Sequence, residues 1–122
     1  MAYGFNDDKS KVEIPGIKIL THTFTTVPPY NSIGNMFSQS ELANLGIDDI
    51  RKYMVIGVSQ QVVGEDVRFN SYYIPKREGN EHHYLTRPCV TRTENNRLLL
   101  TIYNNTGETV DIIGKVMLME IM

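Results

Sequence analysis

Two adjacent histidines, His82 and His83, are the residues of this 122-residue chain that most invite a chemical role, because imidazole ligates metals and moves protons near neutral pH. Their spacing argues against it. Neighbours on a strand project to opposite faces, and no third ligand stands at a zinc-like interval, so exposed turn-edge histidines are the simpler reading and no metal is expected. His22 lies between Leu20 and Phe24 and reads as a hydrogen-bonded core or interface imidazole. Buried at a subunit contact, it would make assembly sensitive to pH. Asp48 and Asp49 are an imaginable acid–base pair, but consecutive carboxylates rarely converge on one bond, and helix N-terminal electrostatics accounts for both. Cys89 is the single cysteine. It can close no intrachain disulfide, and no orienting group or oxyanion donor can be placed beside it. Neither a Walker A pattern nor G-x-G-x-x-G occurs, so no cofactor and no catalytic residue is expected.

Arginine and aromatic side chains interleave at Arg68, Phe69, Tyr72 and Tyr73, with Tyr84 and Arg87 following. Such a set can stack on sugar rings, which makes Arg68, Tyr72, Tyr73, Tyr84 and Arg87 a candidate ligand surface for a host-surface glycan. An ordinary sandwich satisfies the same spacing with Phe69 inside and Tyr72 outside. Twelve Lys and Arg against fourteen Asp and Glu give a formal charge of −2, which leaves no basic excess for a phosphate backbone, so nucleic acid is not an expected partner. No run reaches the ~20 apolar residues of a membrane-spanning helix, and the opening residues carry neither the charged nor the apolar region of a secretion signal. Asn104-Asn105-Thr106 matches a glycosylation sequon but falls in a turn.

The elements that must position these groups are almost all strands. Ile17 to Val27 is rich in β-branched residues and ends at Pro28-Pro29, after which Tyr30 to Asn35 reads as irregular loop. One short helix is expected near residues 39–45, because Ser38 and Glu41 have capping-box spacing, Leu42 and Leu45 share a face, and Gly46 can stop it. Asp48 to Lys52 suits a second turn, with acids first and bases last. Alternation then marks strands from Tyr53 and from Val67, joined at Gly64 as a hairpin. Pro88 confines its stretch to an edge or bent strand. Residues 97–103 and 109–113 read as a further hairpin about Asn104-Asn105-Thr106-Gly107. Seven or eight short strands at ~8–12-residue spacing predict an all-β protein, an antiparallel β-sandwich that is jelly-roll-like. Residues 12–122 form that domain and residues 1–11 an N-terminal arm.

The last strand is apolar on both faces, Met117, Met119 and Ile121 alternating with Val116 and Leu118. Such a strand is either central in its own sheet or covered by another copy, and Val116, Met117, Leu118, Met119 and Ile121 are therefore the candidate oligomer interface. The arm carries Tyr3 and Phe5, a pair of aromatics that a solvated linker does not need. Its sequence, Met1-Ala2-Tyr3-Gly4-Phe5-Asn6-Asp7-Asp8-Lys9-Ser10-Lys11-Val12, resembles the opening of small virion-structural proteins of phages and prophages of Firmicutes. Beyond it the likeness is a general one to β-rich domains of phage fibre, baseplate and head-decoration proteins. The resemblance implies a non-enzymatic virion component, made in the bacterial cytoplasm and commonly trimeric. It also implies that the arm anchors the module to other virion proteins. No coiled-coil heptad or Gly-X-Y tract is present, so a short knob or adaptor is expected and a long shaft is not.

Overall fold

The computed structural model describes residues 16–64, 67–68, 72–73 and 85–121. Tyr3, Phe5, Phe69, the His82-His83 pair and Tyr84 lie outside them. Eight strands are present: β1 (Ile17–Val27), β2 (Asn31–Met36), β3 (Tyr53–Val62), β4 (Val67–Arg68), β5 (Tyr72–Tyr73), β6 (Leu85–Arg92), β7 (Leu98–Asn105) and β8 (Val110–Glu120). They form two antiparallel sheets, β1-β8-β3-β4 and β2-β7-β6-β5, so the chain is an all-β sandwich. The first strand pairs with the last and the second with the one before it, the nesting of a jelly roll. Inside that wrapping the connections are simpler, a β3–β4 hairpin in one sheet and the run β5-β6-β7 in the other.

Alternation explains the core. Leu20, Phe24, Leu98, Leu100, Ile102, Ile112, Val116 and Leu118 occupy the inward positions of β1, β7 and β8 and are buried between the sheets. Gly114 shares that inner face of β8, where a Cβ would stand 2.7 Å from Leu100 Cδ2, so a glycine lets the two sheets close there. Gln60, also buried, crosses the gap by donating from Nε2 to the Thr86 carbonyl at 2.9 Å. At the other end Arg92 of β6 donates to the carbonyls of Ile50 (3.1 Å) and Tyr53 (2.8 Å), tying the two sheets again.

The short helix α1 (Gln39–Asn44) begins as the sequence predicts. Glu41 N–H donates to Ser38 Oγ at 3.1 Å and Ser38 N–H to Glu41 Oε1 at 3.0 Å, so the capping box is closed. Leu42 is buried, and Gly46, at φ 78°, ends the turn. Six residues are too few to be stable alone, and α1 is held by Leu42, Phe37 and Ile47 seated in the core.

Three expectations are corrected. Residues 30–35 are not a loop: Asn31–Met36 is a strand, paired with β7 from Asn31↔Asn104 to Met36↔Leu99. Among its side chains only Ile33 packs against the core, so backbone pairing holds β2 with no apolar alternation to announce it. Residues 97–103 and 109–113 are not a hairpin either, because β7 and β8 belong to different sheets. The true partner of β7 across a turn is β6, with Asn96 left-handed at φ 56° in the connection. Third, of the candidate interface residues Val116 and Leu118 are fully enclosed by their own subunit, because the last strand takes the central place, between β1 and β3, that the sequence left open. They cannot be interface residues in this fold.

The crossing from β7 to β8 is organised by Asn104 and Thr106, both buried. Asn104 Nδ2 donates to the carbonyls of Val27 (3.2 Å), Pro28 (3.0 Å) and Glu108 (2.9 Å), while Oδ1 accepts from the N–H (3.0 Å) and Oγ1 (2.6 Å) of Thr106. These carbonyls leave the ladders where β1 ends and β8 begins, and one amide satisfies them. With Nδ2 so engaged and buried, Asn104 is no glycan acceptor. Asn104→Ala strands several buried polar groups, and urea unfolding should show a loss of about 3 kcal/mol. Thr106→Val removes one hydroxyl and should cost about 1–2 kcal/mol in the same measurement.

Candidate functional site

The titratable candidates resolve first. His22 is half-buried on β1, its ring edge-on to Phe24 with centroids 4.6 Å apart, a packing role. Cys89 is exposed on β6. Among the described residues no three His, Cys, Asp or Glu side chains are grouped so as to hold a metal ion, and no helix is long and apolar enough to cross a membrane.

Asp48 and Asp49 do not converge on a common point. Asp49 caps a 3-10 helix, Ile50–Lys52, accepting from Arg51 N–H at 3.0 Å, and takes the Arg51 guanidinium on both oxygens, Nε and Nη2 each at 2.9 Å. Asp48 instead meets Lys52 at 3.7 Å, one turn on. The side-chain and then the backbone hydrogen bond from Arg51 hold the Asp49 carboxyl down at about 2, well below the usual 3.8. A group so depressed stays ionised through the physiological range and is no proton donor.

Two surfaces remain, on opposite sheets. On the outer face of the first, Ile17, Met119 and Met54 stand side by side in register across β1, β8 and β3. The next row is Ile19, Met117 and Gly57, with Ile56 projecting from the bulge between Val55 and Gly57. Ile19 and Ile56 are each 46% exposed, Met54 43%, Met119 37% and the following Ile121 50%, so this is one apolar area and not scattered residues. The third row, Thr21, Lys115 and Ser59, is polar and bounds it. Of the residues expected at an interface, Met117, Met119 and Ile121 lie here. Ile17, Ile19, Met54 and Ile56 went unremarked in the sequence because they are distant from β8 along the chain.

On the second sheet an open groove of about 460 Å³ is lined by Tyr30, Ser32, Leu85, Arg87, Tyr103 and Asn105, among others. Arg87 and Tyr103 are register partners on β6 and β7, and the guanidinium lies 5.5 Å from the tyrosine ring centroid. Of the expected ligand surface, Arg87 is in this groove. Tyr72 and Tyr73 lie on β5, in the same sheet, whereas Arg68 is on β4, in the other. Tyr30 and Tyr103 are the aromatics that sequence reasoning missed. The Pro-Pro-Tyr break before Tyr30 was the available signal, since a bulky residue there must turn the chain.

Comparison with protein-family models, curated proteins and solved structures gives no match for this chain.

Asp49 generates a pH prediction. Between pH 3.8 and about 2 the unfolded chain binds the proton that folded Asp49 refuses, so stability rises with pH there and falls as acid takes pH through about 2. Because the pair faces solvent, the effect is small. Acid titration of unfolding midpoints should show Asp49→Asn flattening the curve in that window, with no change in slope near neutrality.

Proposed function

We propose that this chain is a non-enzymatic structural component of a phage or prophage particle, a compact knob that self-associates and attaches to the virion. The observation that carries the reading is the pair of apolar rows on the outer face of the first sheet, gathered from β1, β3 and β8. A lone subunit would leave them in water. Burial between copies contributes roughly 2.5 kcal/mol per hundred Å² of apolar surface, and the methionines adapt to an imperfect fit. The interface is thus Met117, Met119 and Ile121 joined by Ile17, Ile19, Met54 and Ile56, and a closed ring, a trimer by the resemblance of residues 1–12, is the expected assembly.

The sequence of the arm supports the same reading. Residues 1–11 carry Tyr3 and Phe5, two aromatics suited to a docking hook, and they precede in sequence the strand β1 that contributes Ile17 and Ile19 to the apolar rows. A virion location, with synthesis in the bacterial cytoplasm, follows from the arm's resemblance to phage proteins.

Sedimentation equilibrium at micromolar concentration should give one defined oligomer. The double variant Ile19→Glu with Met54→Glu should run as a monomer with an unchanged far-ultraviolet spectrum. Deleting residues 1–11 should preserve the oligomer while abolishing attachment to particles. A wild-type monomer would sink the proposal, and so would an oligomer that survives the double variant.

A further inference from the structure

We infer that the groove on the second sheet binds an acidic saccharide, its sugar ring against the tyrosines and its carboxylate or phosphate on Arg87.

The groove is built rigidly for this. Tyr30 holds a left-handed backbone, φ 52°, which a bulky residue rarely adopts, and the residue is 63% exposed. Its backbone is pinned from behind. Tyr30 N–H donates to the Thr106 carbonyl at 3.1 Å, and the Pro28 carbonyl two residues earlier accepts from buried Asn104. The ring lies along Gly107, where a Cβ would stand 3.3 Å from Tyr30 Oη. Strain is thus accepted in a backbone that places an exposed tyrosine in the groove, and that backbone has little freedom left to lose when a ligand stacks there.

The chemistry of the lining selects the ligand class. Among the described residues that line it, Arg87 is the charged one. Among the described residues Arg87 has no carboxylate partner, and the one contact shown for it is the Tyr103 ring. Its planar fork of donors therefore suits an oxyanion. Ser32 and Asn105 add hydroxyl and amide groups able to meet sugar hydroxyls, and Tyr30, Tyr103 and Leu85 provide apolar area for the C–H face of a pyranose. A nucleic-acid strand needs several cations along its track, and the described residues of this groove supply one. About 460 Å³ in an open setting fits one or two sugar units.

The site is separate from the assembly face. It lies on the other sheet, beside Tyr30 and Asn104, at the end where β1 finishes and β8 starts, whereas the apolar rows lie where β1 starts and β8 finishes. The eleven residues of β8 place the two ends roughly 30 Å apart. A subunit mounted at one pole presents its groove at the other.

Titration calorimetry of the full chain tests this with four probes: a galacturonic acid oligomer, glucose phosphorylated on its primary hydroxyl, the neutral galactose oligomer, and inorganic phosphate. Saturable binding of at least one acidic sugar is expected, about tenfold weaker in Arg87→Gln, the loss of one charge-assisted contact. It should also weaken in Tyr30→Asn, which tolerates the left-handed backbone but has no ring. Circular dichroism confirms the fold of each variant. Failure of both acidic sugars, equal binding of the neutral oligomer, equal binding of phosphate, or indifference to Arg87→Gln would each overturn the assignment. Ile19→Glu with Met54→Glu should bind as wild type does, and loss there would overturn a site contained in one subunit. A wild-type monomer that still binds leaves the groove standing while the assembly reading falls.

Discussion

The structure depends on β8 being hydrogen-bonded along both of its edges, to β1 on one side and β3 on the other. A strand in that position must alternate between the interior of the sandwich and the exterior of its sheet. Val116 and Leu118 therefore enter the core, and Met117 and Met119 are sent outward beside Ile17, Ile19 and Met54. The central place also forces the chain to change sheets just before β8, since β7 is already committed to β2 and β6. At that crossing the ladders stop, and the carbonyls they release gather on Asn104.

The same crossing shapes the groove. Asn104 fixes Val27 and Pro28, Thr106 accepts from Tyr30, and the backbone between them is driven into a left-handed turn. A buried, fully used amide thus has an exposed consequence, a solvent-exposed Tyr30 lining one groove with Arg87 and Tyr103. Such a network is costly to disturb, because inside a protein each unpaired polar group loses its water without compensation. The module accordingly has two poles. One is apolar and spans the outer face of a three-strand segment. The other is aromatic, carries the Arg87 guanidinium, and rests on the turn that closes the sandwich.

Among the described residues ionic chemistry contributes little. Asp49 with Arg51 and Asp48 with Lys52 are local pairs at the surface, and they organise a 3-10 turn. The ties between the sheets are neutral or single-sided: Gln60 on the Thr86 carbonyl, Arg92 on two carbonyls, Asn104 on three. Closing the first strand on the last pairs residues as far apart in sequence as Ile17 and Met119, so these ties help to offset the loop-closure entropy of that arrangement.

What the sequence by itself determined was whatever is encoded locally. The period-two runs of β1, β3, β7 and β8 declared strands, Ser38 with Glu41 declared the start of α1, and the greasy Val116 to Ile121 run declared a strand with two apolar faces. Tertiary structure alone decided which strand lies beside which. It made β8 central when the run was also consistent with a covered edge, and it turned the Asn104-Asn105-Thr106-Gly107 hairpin signal into a crossing between sheets. It built β2 from residues with no alternation, and it drew Tyr30 of one loop, Arg87 of β6 and Tyr103 of β7 into a single groove. The physical reason is that side-chain periodicity reports only which face a residue takes, whereas pairing partners are chosen by backbone hydrogen bonds and core volume summed over the whole chain.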